Sequence, residues 1–342
     1  MSRSLITGGA GFIGSHVVKH CLAMGHEVVV LDDLSGGFED HIPFGAIYVQ
    51  GSVADDKLVQ ELFEKYKFDY IYHLAAYAAE GLSHFIRKFN YTNNLIGSIN
   101  LINESIRHKV KCFAFTSSIA VYGPGQLPMT ETMTPMPEDP YGISKYAVEL
   151  DLKAAHEMFG LNYVIFRPHN VYGENQNIGD KYRNVIGIFM NQIMQGLPLS
   201  VFGDGCQTRA FSYIDDVAIP IAKSVNNSNA YNQVFNIGAD QPYTVNELAE
   251  VVSTCFGVKS EIRHLRARNE VIHAYSDHSK AHAVFGSGCG ISLKDGIEKM
   301  AIWAKKVGAR TSKEFEQMEI TEKLPEGWNK MEKKTSKETI VG

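Results

Sequence analysis

Long apolar runs and an excess of basic charge are missing from this sequence. No apolar stretch in the 342 residues approaches the length of a membrane-spanning helix, and the first residues lack the architecture of a signal peptide. Lys and Arg are scattered and are outnumbered by Asp and Glu, which gives a net charge of −5. Nothing in this pattern indicates a nucleic-acid-binding surface. We therefore expect a soluble, cytoplasmic protein that binds neither membranes nor nucleic acids.

Cysteine is scarce, and its spacing suggests no pairing. No Cys-x-x-Cys pair occurs among the five cysteines, which are Cys21, Cys112, Cys206, Cys255 and Cys289. An odd number at such wide spacing matches neither a disulfide framework nor a zinc site. We expect reduced thiols and no bound metal. The apolar fraction of 44% is ordinary for a chain that buries a full core.

The sequence does contain a regular alternation of short apolar runs and longer amphipathic segments. The runs that predict strands are Ser4–Thr7, Glu27–Leu31, Ala46–Gln50, Tyr70–His73, Cys112–Thr116, Tyr163–Phe166, Leu199–Phe202 and Val234–Ile237. The segments that predict helices are Phe12–Met24, Asp55–Lys65, Tyr91–His108, Tyr141–Met158, Val185–Gly196, Thr244–Phe256 and Leu293–Val307. Near-continuous apolar strands alternating with helices are typical of an α/β fold whose parallel sheet is covered on both faces.

This rhythm changes after residue 173, where a polar loop begins. We predict a dinucleotide-binding domain of the Rossmann type, a doubly wound parallel sheet, over residues 1–173, with a strand near 233–237 returning to it. Residues 174–342 are predicted to form mainly a smaller α/β substrate lobe. The ligands would bind in the cleft between the two parts. The Lys-rich and Glu-rich C-terminal tail is predicted to be mobile.

A glycine-rich turn follows the first predicted strand, where residues 7–14 read Thr-Gly-Gly-Ala-Gly-Phe-Ile-Gly. Gly8, Gly11 and Gly14 permit a tight turn, close approach of a pyrophosphate, and close packing of the next helix. The N-terminus of that helix would face the phosphates. Asp32, at the end of the second strand, would accept hydrogen bonds from ribose hydroxyls and repel a 2′-phosphate. A glycine turn alone is weak evidence, but with Asp32 it predicts NAD rather than NADP.

A tyrosine and a lysine lie one helical turn apart at Tyr141 and Lys145. Both side chains therefore project from one face of the predicted helix. A free tyrosine has a pKa near 10, and a nearby ammonium and a cationic nicotinamide would favour its phenolate. Thr116 to Ser118 lie at the carboxyl end of a predicted parallel strand, where α/β sheets bind ligands. An ordinary half-exposed helix face is the alternative, and the nucleotide-binding context favours a catalytic pair.

Three motifs, Thr7 to Gly14, Thr116 to Gly123 and Tyr141 to Lys145, together resemble those of the extended short-chain dehydrogenase/reductase family. Within it, the chain is most similar to the NAD-dependent epimerase/dehydratases of the UDP-glucose 4-epimerase branch, over nearly its whole length. The resemblance implies an isomerase that epimerises C4 of a UDP-hexose through a transient 4-keto intermediate. The implied hexose is glucose or galactose, or also an N-acetylhexosamine. The family resemblance further implies a homodimer.

The resemblance also assigns roles to site residues. Ser118 would bond the reacting hydroxyl, Tyr141 would act as base and acid, and Lys145 would hold the nicotinamide ribose. The residues that would contact NAD are Gly8, Gly11, Phe12, Ile13, Asp32, Ser52, Val53, Leu74, Ala75, Ala76, Asn94, Thr116, Tyr141, Lys145 and Pro168. The residues that would contact the UDP-sugar are Ser118, Tyr141, Asn170, Asn184, Val185, Ser200, Val201, Phe202, Arg209, Arg268 and Ala274.

Within the substrate set, Asn170 would bind the pyrophosphate and Arg209 would clamp a phosphate with its two-pronged guanidinium. A second arginine is expected at Arg266 or Arg268, of which Arg268 is preferred. Ala274 matches the position that closes the sugar pocket. Its small side chain would leave room for an acetamido group.

Two positions depart from the family pattern. The family often has Gly-Asp where this chain has Gly51 and Ser52. A serine can still bond the adenine edge. The family's aspartate after the first phosphate clamp is Ala210 here, which puts the support of that clamp in doubt.

Other reactions on the same scaffold remain alternatives. Family members that eliminate water or carbon dioxide carry acids just after the catalytic hydroxyl, where this chain has Ile119 and Ala120. This disfavours a 4,6-dehydratase or a glucuronate decarboxylase, although an acid from a distant loop stays open. A glucuronate epimerase would need a cation near C6. The family's arginine there is Asn177 in this chain, but Lys181 or Arg183 could replace it. A non-catalytic dinucleotide sensor is a remote alternative.

Overall fold

The framework of the chain is a set of short strands. The computed structural model describes residues 1–125, 127–180, 182–267, 273–286, 288, 290–311, 315 and 318–325. The strands are β1 Arg3–Thr7, β2 Glu27–Asp32, β3 Ile47–Gln50, β4 Tyr70–His73, β5 Cys112–Thr116, β6 Tyr163–Pro168, β7 Val171–Tyr172, β8 Leu199–Phe202, β9 Thr208–Ala210, β10 Ser212–Tyr213, β11 Gln233–Ile237, β12 Pro242–Thr244, β13 Ile262–Leu265 and β14 His273–Ala274.

One seven-stranded parallel sheet runs through the molecule in the order β11-β6-β5-β4-β1-β2-β3. The chain winds outward from β1 to β3, then crosses to β4 on the other side of β1 and continues outward to β11. The carboxyl ends of β1 and β4 therefore flank a topological switch point, which is where such sheets bind ligands. The predicted α/β fold class, a doubly wound parallel sheet of the Rossmann type, is confirmed.

Helices cover both faces of this sheet. They are α1 Phe12–Ala23, α2 Asp56–Tyr66, α3 Glu80–Ser83, α4 Arg87–Tyr91, α5 Gly97–Arg107, α6 Pro140–Phe159, α7 Val185–Met194, α8 Ile214–Ser224, α9 Val245–Phe256, α10 Ser279–Phe285 and α11 Leu293–Val307. Shorter helical turns are the 3₁₀ segments Glu39–His41, Ile119–Tyr122 and Ser228–Ala230 and the π segment Thr92–Ile96.

Alternate side chains of the central strands enter two separate apolar cores. Ile6 packs in the core shared with α1 and α8, whereas Leu5 packs in the core shared with α2, α5 and α6. Burial on both faces explains why the strands are almost continuously apolar. Helix α8 is absent from the predicted helices. Its internal Pro220 lacks a backbone donor, which disfavours a helix in the sequence pattern. It nevertheless packs along α1.

The prediction of a single helix over Tyr91–His108 is wrong in detail. The helical segment begins earlier, with α4, and passes through the π segment before α5. The wider turn of a π segment is often found at functional sites. Here it contains Asn94, whose side chain is buried below the loop that follows β4.

The second half of the chain adds small sheets beside the main one. β8 pairs in parallel with β13, and β9 lies between β12 and β14. Helix α9 begins with a capping box in which Thr244 and Glu247 satisfy each other's backbone donors. Across the described ranges, no helix is long and apolar enough to cross a membrane. The extreme tail after residue 325, for which mobility is predicted, lies outside the described residues.

Candidate active site

A cleft of about 1460 Å³ opens at the carboxyl ends of β1, β2, β4, β5 and β6. It continues between the main sheet and the small sheets, and a second pocket of about 390 Å³ adjoins it. A pocket for one small ligand usually measures about 300–1,000 Å³. The combined space is therefore large enough for a dinucleotide and a second ligand.

The glycine turn after β1 packs closely against the backbone at the end of β4. Gly8 has a φ of +73°, which favours glycine, and its amide donates to Leu31 O at 2.9 Å. A Cβ at Gly8 would lie 2.7 Å from Ala75 N, and a Cβ at Gly14 would overlap the Gly8 carbonyl oxygen. The turn can pass this close to its neighbours only without side chains. Gly11 is the N-terminal cap of α1, and the first turn of this helix has no acidic residue. The unpaired N–H groups of that turn therefore suit an anion.

Asp32 lies at the end of β2 and lines the same cleft. Its two carboxylate oxygens accept the backbone N–H groups of Ala10 at 3.0 Å and Leu34 at 2.9 Å. Burial raises the pKa of Asp32, and both hydrogen bonds oppose that shift. A carboxylate has about four acceptor sites, so this one retains capacity for ribose hydroxyls. The glycine cradle, the helix N-terminus and Asp32 together fit NAD.

All but one of the predicted cofactor residues line the cleft. Those that do are Gly8, Gly11, Phe12, Ile13, Asp32, Ser52, Val53, Leu74, Ala75, Ala76, Thr116, Tyr141, Lys145 and Pro168. Asn94 lies behind it, where its Oδ1 accepts the N–H of Tyr77 at 2.8 Å and its Nδ2 donates to Tyr77 O at 3.2 Å. Asn94 therefore fixes the loop after β4, and a direct contact between Asn94 and NAD stays a prediction.

The predicted catalytic residues converge at the middle of the cleft. Helix α6 begins at Pro140 after the cap Asp139, whose Oδ1 accepts the N–H of Gly142 at 3.0 Å. This places Tyr141 in the first turn of α6, with its phenol close enough to Ser118 for that side chain to act on the pKa of the phenol. Lys145 Nζ donates to Thr116 O at 2.8 Å and lies 5.9 Å from the Tyr141 ring centroid.

Burial controls the charge of this group. It raises the pKa of the Tyr141 phenol above its ordinary value, and the charge of Glu80 raises it further. Burial also lowers the pKa of Lys145 to about 7, an effect that Glu149 opposes. The protein alone therefore keeps Tyr141 protonated at neutral pH. A base role for Tyr141 requires an additional positive charge from a bound ligand.

A buried ion pair below Lys145 is absent from the sequence predictions. Glu149 is fully buried and accepts hydrogen bonds from Arg167 Nε at 2.9 Å and Ser117 Oγ at 2.5 Å. The available signal is spacing, because Tyr141, Lys145 and Glu149 are separated by four residues each and share one face of α6. Glu149 links the ends of β5 and β6 to the catalytic helix.

The second pocket collects most of the predicted substrate residues. Those that line it are Asn170, Asn184, Val185, Ser200, Val201, Phe202 and Arg209. Gln192, which sequence reasoning missed, holds Ser200 by two bonds, from Ser200 N to Oε1 at 3.1 Å and from Nε2 to Ser200 Oγ at 3.0 Å. Ala274 pairs with Arg209 across β14 and β9 and lines the larger cleft.

Comparison with known proteins shows which family has this sequence and this arrangement of residues. The sequence profile of the NAD dependent epimerase/dehydratase family matches residues 4–238. The chain belongs to this family. It is 31% identical to the UDP-glucose 4-epimerase of Halalkalibacterium halodurans over 299 residues, which cover 82% of this chain and 89% of the relative. The predicted family, the NAD cofactor and the epimerase class of enzyme are confirmed.

Solved structures of the family share the fold. The UDP-glucose 4-epimerase of Thermotoga maritima with UDP-glucose has a TM-score of 0.86 at 33% identity, covering 89% of this chain and 99% of that one. The UDP-N-acetylglucosamine 4-epimerase of Methanobrevibacter ruminantium in complex with UDP-N-acetylmuramic acid has a TM-score of 0.82 at 28% identity, covering 88% and 97%.

Some of the cations expected at the substrate end line the cleft, and others cannot be compared with the structure. Arg268, the preferred second phosphate clamp, and Lys181 lie outside the described residues. Arg266 lines the cleft, as does Arg263, which the sequence analysis missed. Arg183 also lines it, but its guanidinium is paired with Asp180, so its positive charge is compensated.

The sugar end of the cleft has a wall that the motifs do not predict. Its members come from the loop after β4, from α3 and from the C-terminal segment, and include Tyr77, Glu80, Lys323, Leu324 and Pro325. None of these belongs to a motif, and the loop and the C-terminal segment are far apart in sequence. Only the folded chain brings them together.

Proposed function

We propose that the protein interconverts the C4 epimers of a UDP-hexose, with UDP-glucose and UDP-galactose as substrates. The observation that carries this proposal is that Ser118, Tyr141 and Lys145 line the same cleft as the glycine turn. Asn170 and Arg209 line both this cleft and the second pocket, so the two spaces are continuous. A sugar whose nucleotide occupies the second pocket would therefore extend into the cleft that contains the three residues.

The residues of the chain support each part of the proposed reaction. When bound, NAD would supply a hydride acceptor and a positive charge. Lys145 would hold the nicotinamide ribose and favour the phenolate of Tyr141, which takes the proton of the C4 hydroxyl. Ser118, which lies beside Tyr141 in the same cleft, would bond to that hydroxyl and orient it. Rotation of the 4-keto sugar, return of the hydride to C4 and return of the proton to the oxygen by Tyr141 would complete the epimerisation.

Phosphate and nucleotide recognition is proposed for the second pocket. Arg209 and Asn170 would bind the diphosphate, because a guanidinium bonds two oxygens at once. Val201 and Phe202 on β8 would contact the uracil, and Asn184 and Val185 would cap the nucleotide at the start of α7. All of these residues line one pocket.

Ala274 supports a wider substrate range. It lies 8% exposed at the wall of the cleft, beside Ile119 and Met129. A small residue here leaves space where a tyrosine would fill it. We therefore include UDP-N-acetylhexosamines among the proposed substrates. Asp180 compensates the charge of Arg183, which weakens Arg183 as the cation that a UDP-hexuronate would need near C6.

Elimination on the same scaffold is the second candidate. Ile119 and Ala120 cannot transfer protons, but Glu80 lines the cleft and raises the pKa of Tyr141, so it lies within electrostatic reach of that hydroxyl. A carboxyl from this loop would be the acid that a 4,6-dehydratase needs. Epimerisation requires no such group, which makes it the simpler proposal.

A homodimer is proposed through α5 and α6 of each subunit, packed as a four-helix arrangement. Exposed apolar side chains on these helices and the adjoining π segment would be covered: Ile96, Ile143, Leu150 and Met158. Sedimentation at micromolar concentration should show a dimer. A Leu150→Glu variant should shift it to a monomer, whereas a wild-type monomer would contradict the arrangement.

The test of the function is incubation with UDP-glucose, UDP-galactose, UDP-N-acetylglucosamine and UDP-glucuronate, followed by product analysis at C4 and C6. We expect conversion of the first three to their C4 epimers. A 4-keto-6-deoxy product would instead support elimination. No conversion of any of the four would contradict both candidates.

A further inference from the structure

Two buried histidines meet below the substrate pocket in a chain of hydrogen bonds that ends at the exposed carboxylate of Asp240. His169 Nε2 lies 2.9 Å from His278 Nε2, and the two rings are stacked with centroids 5.0 Å apart. At one end, His169 Nδ1 lies 3.0 Å from Ala210 O. At the other end, His278 Nδ1 lies 2.5 Å from the carboxylate of Asp240. The side chains of His169 and His278 are 3% and 1% exposed.

The groups at the two ends of this chain of hydrogen bonds, the Ala210 carbonyl and the Asp240 carboxylate, determine how many protons the two imidazoles need. A carbonyl oxygen and a carboxylate only accept, so both outer bonds require an N–H on the imidazole. The bond between the two Nε2 atoms requires a third N–H. Two neutral imidazoles carry two protons in total. With two protons, either an outer bond is lost or two lone pairs face each other at 2.9 Å.

Other groups around the pair do not remove this shortage. Ser276 Oγ lies 3.0 Å from His278 Nε2, but its hydroxyl can donate only to His278 and leaves the lone pair of His169 unpaired. The remaining titratable neighbours of His278 are His282, with ring centroids 6.3 Å apart, and Asp277. On the His169 side the charged neighbours are His278 and Asp240. None of these supplies a proton to the central bond.

The histidine pair ties the substrate residues to the main sheet. His169 directly follows β6, and Ala210 ends β9, next to Arg209. The Ala210 carbonyl also accepts the side chain of Asn170 at 3.2 Å. Ala274, opposite Arg209 on β14, is four residues before His278. One hydrogen-bonded chain therefore fixes the strand of Arg209 relative to the cofactor side of the cleft.

We propose that His169 and His278 share one additional proton and act as a cationic positioning pair that holds Arg209 and Asn170 in place for the substrate diphosphate. This inference rests on the proposed function for its ligand. Burial lowers the pKa of both histidines, that of His169 to about 3, but at His278 the Asp240 carboxylate opposes the shift, so the extra proton is held on His278. Loss of the proton at higher pH breaks one bond of the chain.

The pair should make substrate binding depend on pH. A net hydrogen bond corresponds to about a twofold to tenfold change in an equilibrium constant. We expect the dissociation constant of UDP-glucose to rise by that factor as the pH is raised through the pKa of His278, which burial places below the ordinary histidine value of about 6.5. The bridging diphosphate of UDP-glucose has no ionisable monoester to confuse the result. The direction is tighter binding at the acidic end.

Calorimetric titration of UDP-glucose into wild type, His278→Gln and His282→Gln tests this. A glutamine amide donates to His169 Nε2 without an extra proton, so His278→Gln should bind with little pH dependence. His282→Gln, a neighbour outside the chain, should keep the wild-type profile. A wild-type dissociation constant that is flat with pH, or a His278→Gln variant with the wild-type profile, would overturn the proposal.

Nitrogen-15 NMR of the imidazoles separates this inference from the proposed function. At the acidic end of the binding profile, at about pH 5, the pair should show three N–H nitrogens and one unprotonated nitrogen, with or without nucleotide. Two N–H nitrogens would overturn the shared proton even where UDP-glucose binds. Three N–H nitrogens in a protein that does not bind UDP-glucose would contradict the proposed function and the positioning role while supporting the shared proton.

Discussion

The cofactor side and the substrate side of the cleft are built in different ways. On the cofactor side, the contacts come from strand ends of one parallel sheet and from backbone exposed by Gly8 and Gly14. On the substrate side they come from side chains on β8, β9 and β14, strands of two to four residues in separate small sheets. The shape of the cofactor side therefore depends on backbone geometry, and the shape of the substrate side depends on the positions of side chains.

This difference predicts how the two sides respond to substitution. A change that moves backbone on the cofactor side should affect NAD retention whatever the sugar. A change on the substrate side should alter the activity toward one sugar more than the activity toward another. The proposed catalytic residues would act on both ligands, so their loss should have the largest effect.

The largest expected effect is that of Tyr141→Phe. Removing the phenol oxygen should lower turnover by at least about 10²-fold, because a general acid–base group contributes that much or more. Affinity for UDP should change little, since Tyr141 does not line the second pocket. The measurement is kcat for UDP-galactose together with calorimetric UDP binding.

Tyr146→Phe is the matched control, because Tyr146 lies on the same helix and packs against the cluster of Tyr122 and Met129, but is not among the residues that line the cleft. It should keep near-normal turnover. A Tyr141→Phe enzyme with near-normal turnover would place the base on another residue.

Gly8→Ala should produce the next largest effect, the loss of bound NAD. We expect the protein to purify with NAD, and the new methyl group would lie 2.7 Å from Ala75 N and push apart the backbone on which the dinucleotide rests. The NAD content of denatured protein should fall at least about tenfold, as a backbone shift in the cradle removes several contacts.

Gly25→Ala controls for the cost of a left-handed residue. Gly25 has a φ of +81°, similar to that of Gly8, but nothing lies within 4 Å of its added Cβ. Both variants lose about 1–2 kcal/mol from the left-handed conformation, and only Gly8→Ala disturbs the cleft. Equal NAD content in the two variants would show that the close approach of Gly8 to Ala75 is unimportant.

The smallest and most selective effect is expected on the substrate side. Ala274→Tyr should abolish turnover of UDP-N-acetylglucosamine and spare UDP-glucose, because the ring would fill the space for the acetamido group. Ala274→Ser, which adds one atom, should accept both sugars. If Ala274→Tyr lowers both activities equally, Ala274 does not discriminate between the sugars.

The same contrast explains what could be predicted from the sequence. Gly8, Asp32, Tyr141 and Lys145 belong to local patterns in which spacing alone fixes geometry, and all four line the cleft as predicted. Their roles toward bound ligands stay predictions until tested. Glu149 had a spacing signal too, because it is the third residue, after Tyr141 and Lys145, on the same face of α6.

The remaining site residues depend on contacts distant in sequence. His169 and His278 are 109 residues apart and are joined only by the folding of β9 and β14. Lys323 reaches the wall of the cleft from the C-terminal segment. Arg263 is one of several arginines on a short strand and its neighbours, and sequence alone does not show which of them faces the cleft.

The central claim is that the C4 hydrogen leaves and returns within one closed site. The most direct measurement is to incubate UDP-galactose with the purified protein in D₂O, without added cofactor, and to examine the product by NMR. We predict UDP-glucose with ordinary hydrogen retained at C4, because hydride passed to bound NAD returns to the same carbon without meeting solvent. Deuterium at C4, or no UDP-glucose at all, would contradict the account.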